Sequence, residues 1–356
     1  MNKERFAARR EKLRALMRGA KMAALLVTLD ANRFYLSGFE LQDAQPNESS
    51  GCLIITATGK DWICTDPRYQ DAAARLWDAE RIAIYRGNAM ELVNALLKEH
   101  AHGAVGFEAH NISLAAFELV REGLDMRRAD GMIESLRAVK EAEEIALLQE
   151  ACALNHQLMQ WVPGVLTPER TEQQVAWDIE QFFRNNGAEG LSFSSIVAVG
   201  ANAALPHAEP GSTPITENCG VLVDVGCRLN RYCSDQTRTF WVGDSPDALF
   251  SRDLEMIQEA QAKAIAEIRP GVTAAHVYGV ARACLEKYGV AELFTHGLGH
   301  GIGLQTHEGP SLGSRSPVLL QSGMVVTVEP GLYRSGRSGL RWEYMVLVTD
   351  DGVRVF

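Results

Sequence analysis

The stretch HGLGHGIGLQTHE, His296 to Glu308, holds three of the chain's nine histidines and four glycines. His296 and His300 stand four apart, as in a zinc-binding HExxH helix, but the glutamate that motif needs after its first histidine is missing. Glycine at 297, 299, 301 and 303 disfavours a helix and suits a backbone that must pass close to a site. Any metal bound here must therefore draw ligands from elsewhere in the chain, and a hard cation takes them from oxygen.

Two stretches offer carboxylates on strand-like text beside a turn. The first is GVLVDVGCRLNRYCSDQTRTFWVG, 220–243. Facing residues of an antiparallel hairpin have a constant sum of positions. A turn centred between Leu229 and Asn230 sets Asp224 opposite Asp235, with Cβ atoms roughly 4.5–5.5 Å apart. Like charges in that position destabilise a sheet unless a cation lies between them. The second stretch is GMVVTVEPGLYRSGRSGLRWEYMVLVTDDG, 323–352. A turn centred on Gly336 sets Glu329 opposite Glu343, and Arg341, two residues before Glu343, points to the same face.

One such pair alone would fit the solvated rim of a half-exposed sheet. Two hairpins of the same geometry, with a histidine cluster between them in sequence, favour a metal site. Four carboxylates and one histidine exceed what a single structural zinc takes. They suit two divalent ions about 3.5–4 Å apart that share bridging carboxylates, the layout of a two-metal hydrolase. An oxygen-rich set with one imidazole favours manganese, with cobalt and zinc as alternatives.

The rest of the chain bounds this expectation. Its 356 residues suggest two domains at roughly 150 residues each. With 46% hydrophobic residues it can bury a sizeable core. A net charge of −10 with no basic stripe argues against nucleic acid as a partner. Seven scattered cysteines without CxxC pairs read as idle thiols in a reducing cytoplasm. No apolar run approaches ~20 residues, so neither a signal peptide nor a membrane span is expected.

Residues 1–133 alternate strand-like runs (AALLVT, GCLIITATG, DWICTD, RIAIYRG, AVGFEAH) with helical text, the pattern of an α/β domain with a mixed or parallel sheet. Residues 134–356 read as a second, α+β domain. A long helix follows SLRAV, with KEAEE as its solvated opening and Pro163-Gly164 as its stop. A second helix starts at a Thr171/Gln174 capping box and ends at Asn186-Gly187. Two more fit 248–268 and 274–288.

LPHAEPG, VDVGCRLNRYCSDQTRTF, HGLGHGIGLQTHEGP and GMVVTVEPGLY followed by GLRWE together resemble the pita-bread metallopeptidases: methionine aminopeptidases, proline aminopeptidases and prolidases. The resemblance spans the whole second domain and implies a pita-bread catalytic fold. The first domain fits the proline-directed members, which carry such a domain, often with text like NRFYLSGF. Carried over, the family pattern makes Asp224 a ligand of one metal, Asp235 and Glu343 bridging ligands, and His300 with Glu329 the completion of the other. His207 matches a catalytic histidine near the scissile bond, His307 a histidine that contacts substrate, and His296 a histidine lining the pocket. Arg341 matches the arginine beside the last glutamate.

The implied chemistry is attack of a hydroxide shared by the two metals on the scissile carbonyl, with Glu329 taking the proton and one metal and His207 stabilising the oxyanion. The implied activity is removal of the N-terminal residue from Xaa-Pro peptides. A prolidase acting on Xaa-Pro dipeptides is the alternative, followed by a non-peptidase pita-bread enzyme and by a binding scaffold. Two-domain relatives often form homodimers. Two departures stand out: Tyr344 follows Glu343 where many relatives have Asp, and Ser311 lies near the place where some prolidases put an arginine for a dipeptide's carboxylate.

Overall fold

Apolar runs separated by charged or glycine-bearing turns become strands in the first third of the chain. The structure is a computed structural model and describes residues 3–41, 43 and 48–356. The chain divides into two compact units, one ending at Arg137 and the other running from Ala138 to Phe356. Among the described residues no helix is long and apolar enough to cross a membrane. The seven cysteines are free thiols, six of them buried.

The first unit opens with α1 (Lys3–Gly19), β1 (Met22–Val27) and α2 (Asp30–Ser37). NRFYLSGF forms most of α2 and its C-cap, where Gly38 adopts φ 75°. Then follow β2 (Cys52–Thr56), β3 (Trp62–Thr65), α3 (Gln70–Ala74), β4 (Ile82–Ile84), α4 (Ala89–His100), β5 (Ala104–Phe107), α5 (Leu114–Val120), β6 (Met126–Arg128) and α6 (Met132–Ala138). The sheet has the order β4-β3-β2-β1-β5-β6. It is mixed, as expected: β1 runs antiparallel to β2 and parallel to β5. Val93 and Leu97 of α4 close one core with Leu26, Ile54 and Val105.

The second unit begins with α7 (Ala142–Trp161) and α8 (Glu172–Asn185). The Thr171/Gln174 capping box is present at α8. The opening of α7 differs from expectation. KEAEE is solvated only in its middle: Ala142 and Glu143 are exposed, but Lys140 is 5% exposed and Glu144 2%. Lys140 Nζ reaches Glu308 at 3.2 Å, and Tyr232 donates its hydroxyl proton to Glu144 at 2.8 Å. Charged residues are almost never this buried without such partners, and a charge pattern alone does not reveal partners so distant in sequence.

Next come β7 (Gly190–Leu191), β8 (Ile196–Val199), β9 (Cys219–Val225), β10 (Cys227–Leu229), β11 (Tyr232–Cys233) and β12 (Gln236–Val242). Helices α9 (Ala248–Ala266) and α10 (Ala274–Lys287) follow. The chain ends with β13 (His300–Gly301), β14 (Glu308–Ser311), β15 (Val325–Val328), β16 (Gly331–Arg334), β17 (Ser338–Arg341), β18 (Tyr344–Val348) and β19 (Val353–Val355).

This unit has two halves of like construction. In the first, Leu154 and Leu158 of α7 and Val175, Ile179 and Phe183 of α8 pack on Val197, Val221 and Val223 of the β12-β9-β8 sheet. In the second, Ile257 and Ala260 of α9 and Val277 and Ala281 of α10 share a core with Val326, Val328, Val346 and Val348 of the β14-β13-β15-β18-β19 sheet. Each fully buried Val, Leu, Ile or Phe contributes roughly 1.5–3 kcal/mol. Each sheet is thereby held on its helix side, leaving side chains of the opposite parity free to build a site.

Candidate metal centre and active site

The two hairpins deliver their carboxylates differently. In the second, β15 pairs with β18 and β16 with β17 in one register: Val328 faces Tyr344, and Gly331 faces Arg341. Both sums are 672, the value expected from a turn at Gly336, which sits at φ 67°. Glu329 and Glu343 fall opposite each other in the short break between the two pairings.

The first hairpin corrects its expectation. Thr237, not Asp235, faces Asp224, and Leu229 faces Tyr232. The register sum is 461 instead of 459, because the turn is centred on Asn230 and Arg231, both at positive φ (49° and 75°). Two-residue hairpin turns need such a pair, and an arginine in the second place hides it. The slip is by one residue in turn position and two in register sum, so the face is preserved. Asp224 and Asp235 are diagonal neighbours on one face.

The histidine segment reaches the same place as extended chain. His300 and Gly301 form β13, between β14 and β15. A Cβ at Gly299 would lie 2.0 Å from the carbonyl oxygen of Thr327, and one at Gly301 2.1 Å from that of Gly309. No side chain fits at either position. At Gly297 the nearest atom is 3.6 Å away, so crowding does not explain that glycine.

Eight of the nine expected site residues line one cavity of about 500 Å³: His207, Asp224, Asp235, His296, His300, His307, Glu329 and Arg341. The ninth, Glu343, is 1% exposed. Oxygens of Asp224, Asp235 and Glu343 lie within 4.8 Å of one another. His300 Nε2 stands 3.3 Å from Glu329 Oε1 and 3.6 Å from Asp235 Oδ2. The ring of His307 packs edge-on against that of His300, with centroids 4.3 Å apart.

Three carboxylates of this cluster each have one oxygen committed to the protein. Asp224 Oδ2 accepts from Arg341 Nη2 at 2.6 Å, Glu343 Oε2 from Thr237 Oγ1 at 2.8 Å, and Glu329 Oε1 from Thr327 Oγ1 at 2.9 Å. Asp224 Oδ1 and Glu343 Oε1 are buried without a hydrogen-bond partner. Leaving a buried carboxylate oxygen unsatisfied is costly, and a divalent cation between these oxygens removes that cost. The donor set, carboxylate oxygens plus one imidazole, fits hard or borderline divalent ions.

The electrostatics agree. Burial, then the charges of Glu343 and Asp224, push Asp235 well above the usual carboxylate range. Burial, then Glu329 and Asp224, do the same to Glu343. Burial works against the charge of Glu329 too, but the hydrogen bond and charge of His300 outweigh it and bring Glu329 down to about 2. Burial opposes the charge on His300 as well, yet Glu329 raises it. Without a cation, Asp235 and Glu343 favour their protonated, neutral forms, while Glu329 stays ionised beside His300.

A further chain of hydrogen bonds runs from the carboxylates to His296. Arg341 donates from Nε to Thr237 Oγ1 at 3.0 Å and from Nη1 to the Tyr333 hydroxyl at 2.7 Å. That hydroxyl lies 2.9 Å from His296 Nε2, and His296 Nδ1 lies 2.7 Å from the Gly297 carbonyl oxygen. A carbonyl only accepts, so Nδ1 carries the proton, Nε2 accepts from Tyr333, and Tyr333 accepts from Arg341. Burial lowers the pKa of His296, in keeping with a neutral ring. Both ring nitrogens are engaged within the protein, so His296 meets the cavity with its ring, not with a free nitrogen.

Tyr333, Thr237 and Thr327 went unnoticed in the sequence. The signal was the strand period: Thr237 lies two residues beyond Asp235, and Thr327 two before Glu329, on the same faces as the carboxylates they serve. Tyr333 carries no such mark relative to His296.

Comparison with known proteins gives the following. The model of metallopeptidase family M24 matches residues 146–350, and that of the creatinase/prolidase N-terminal domain matches residues 9–139. A Xaa-Pro dipeptidase of Pyrococcus horikoshii is 35% identical over 332 residues, 92% of this chain and 91% of the other. The structure of a Xaa-Pro dipeptidase from Bacillus anthracis superposes with a TM-score of 0.91 at 31% identity, over 98% of this chain and 97% of that one. An X-Pro aminopeptidase from Thermotoga maritima gives 0.83 at 27% identity, over 94% and 95%.

Proposed function

Because this chain belongs to metallopeptidase family M24, we propose that it is a dinuclear Xaa-Pro aminopeptidase, releasing the residue that precedes proline at a peptide's N-terminus. The observation that carries this is the convergence of Asp224, Asp235, Glu329 and His300 on one cavity, with Glu343 buried against the two aspartates and two buried carboxylate oxygens unpartnered. Asp224 would hold one cation, His300 and Glu329 the other, with Asp235 and Glu343 shared. Manganese is favoured, since the set is oxygen-rich with a single imidazole; cobalt and zinc are alternatives. We place the enzyme in the cytoplasm, as a homodimer.

Two divalent ions bound there supply the acidity that makes water a nucleophile near neutral pH. The remaining work falls to side chains. Glu329, on the cavity wall beside His300, receives the proton of the attacking water on a carboxylate oxygen. His207, on the cavity wall, hydrogen-bonds the carbonyl oxygen as charge develops there. His307, exposed and beside His300, holds the carbonyl on the proline side or passes a proton to the departing imino nitrogen. Burial, then the charge of His300, lowers the pKa of His307, so a proton passed on by its ring would be the one that Glu329 had taken from the water. Arg341 fixes Asp224, and His296 forms a wall of the substrate pocket.

A second reading, a Xaa-Pro dipeptidase, is favoured by the descriptions of the Pyrococcus horikoshii and Bacillus anthracis proteins. Against it stands Ser311, which lines the cavity where some prolidases place an arginine for the dipeptide's carboxylate. A panel of Xaa-Pro, Xaa-Pro-Yaa and Xaa-Ala-Yaa peptides with added manganese separates these outcomes. Cleavage of Xaa-Pro-Yaa, with Xaa-Ala-Yaa left intact, is expected. Steady hydrolysis of Xaa-Pro alone would make the protein a dipeptidase, and equal cleavage of Xaa-Ala-Yaa would remove the proline preference.

A further inference from the structure

Arg238 lies one residue beyond Thr237 on β12, so its side chain leaves the strand on the face opposite the metal cluster. It is only 8% exposed. Its guanidinium carbon sits 4.3 Å from the ring centroid of Trp342 and 4.2 Å from that of Tyr344, the two neighbours of Glu343 in sequence. Nη1 donates to the carbonyl oxygen of Thr237 at 2.8 Å and also to that of Glu343. The Glu343 amide in turn donates to the Thr237 carbonyl at 3.1 Å.

One planar cation therefore grips both strands at the place where they deliver a ligand. It fixes the backbone of Glu343 from behind. It also fixes Thr237, whose hydroxyl holds Glu343 Oε2 at 2.8 Å on the other face. Metal–ligand distances tolerate only about 0.2 Å of error, so a bridging carboxylate needs a backbone that does not shift. Arginine suits the task because its guanidinium stacks on aromatic faces while its fork reaches fixed acceptors; a lysine ammonium is a point charge on a flexible stem. Tyr344 supplies one of the two rings.

We infer that Arg238, seated against Trp342 and Tyr344, is a positioning residue that sets Glu343 for metal binding. The inference rests on the proposed role of Glu343 as a ligand. Charge and geometry act in opposite directions here. A fixed positive charge near Glu343 disfavours a second cation, whereas a fixed backbone favours it. Arg238→Lys keeps the charge and removes the geometry, so it isolates the positioning effect.

The test is calorimetric titration of metal-stripped protein with manganese, comparing wild type with Glu343→Gln, Arg238→Lys, Arg238→Met and Tyr344→Leu, with circular dichroism to confirm folding. Arg238→Lys is expected to bind manganese 10–100-fold more weakly, the loss usual when a partner of a metal ligand is removed. Tyr344→Leu, which strips one face of the seat, is expected to lose several-fold, and decides the matter if the arginine variants do not fold. Wild-type affinity in both Arg238→Lys and Tyr344→Leu, with Glu343→Gln impaired, overturns the inference and leaves the metal assignment standing. Tighter binding by Arg238→Met would mean that charge alone couples Arg238 to the site, and would also overturn it. If wild type shows no specific binding, or Glu343→Gln binds as tightly as wild type, the metal assignment of Glu343 itself fails.

Discussion

The two halves of the second unit build the same thing by different means. Each lays a pair of helices on a sheet and sends one hairpin with two acidic residues toward the cavity. In the first half, Asp224 lies within the β9–β12 pairing and Asp235 just outside it, so the two are diagonal. In the second, both glutamates stand in a break between two pairings and face each other. Charge follows position. Glu329, beside His300, is held ionised, while Asp235 and Glu343, in the midst of the carboxylates, resist ionisation. Such carboxyls as Asp235 and Glu343 would give up their protons readily only to a cation.

The largest effect should come from breaking the first hairpin's contribution at its centre. Asp235→Asn would remove a proposed shared ligand and leave its neighbours facing a neutral amide. Peptidase activity should fall below detection, and manganese affinity by more than the roughly 10–100-fold typical of an outer partner. Full activity in this variant would show that Asp235 bridges nothing.

His307→Ala should be the next largest, and different in kind. His307 belongs to the segment between the hairpins and holds no metal in this account. Its loss should cost about 10²–10⁴-fold in turnover with metal content unchanged at one measurement by atomic absorption. Loss of metal along with activity would move His307 into the ligand set.

A third prediction sharpens the charge contrast. Asp235 and Glu343 have folded-state pKa values raised above 3.8 and 4.5. Raised carboxyls give stability that is full below the unfolded value and is lost as pH rises toward the folded one. Glu329, lowered from 4.5 to about 2, does the reverse: its contribution is present above 4.5 and lost as pH falls toward 2. Melting of chelator-treated protein should therefore occur at lower temperature at pH 8 than at pH 5, and manganese should abolish the difference. Chelated protein that melts at the same temperature at both pH values would contradict the burial of these carboxyls.

How far such a site shows in a sequence depends on which part is asked for. The second hairpin's register followed from one glycine, since Gly336 takes positive φ and marks the turn. The first hairpin slipped because Asn230-Arg231 carries the same conformation without a glycine. Strand parity saved the face, so the carboxylates converge even though the pairing differs. Tyr333 and Arg238 were invisible for another reason. Their roles come from partners 37 residues away for Tyr333 and 105 for Arg238, and no local pattern encodes such a contact. The buried Lys140–Glu308 pair is of the same sort.

The smallest effects should come from the turns themselves, with opposite signs. Gly336→Ala places a side chain at φ 67° and should cost about 1–2 kcal/mol, with nothing nearby to clash. Arg231→Gly relieves φ 75° and should gain up to about 1 kcal/mol, since its exposed contact with Glu189 at 3.7 Å contributes little. Denaturant melts that move both variants in the same direction would contradict the contrast between the two turns.

The most direct test of the central claim is a manganese titration of metal-stripped protein, following hydrolysis of a Xaa-Pro-Yaa tripeptide while bound metal is counted. The account predicts no cleavage without metal and a plateau at two ions per chain. Full activity in the stripped protein, or activity that rises without any ion being retained, would contradict it.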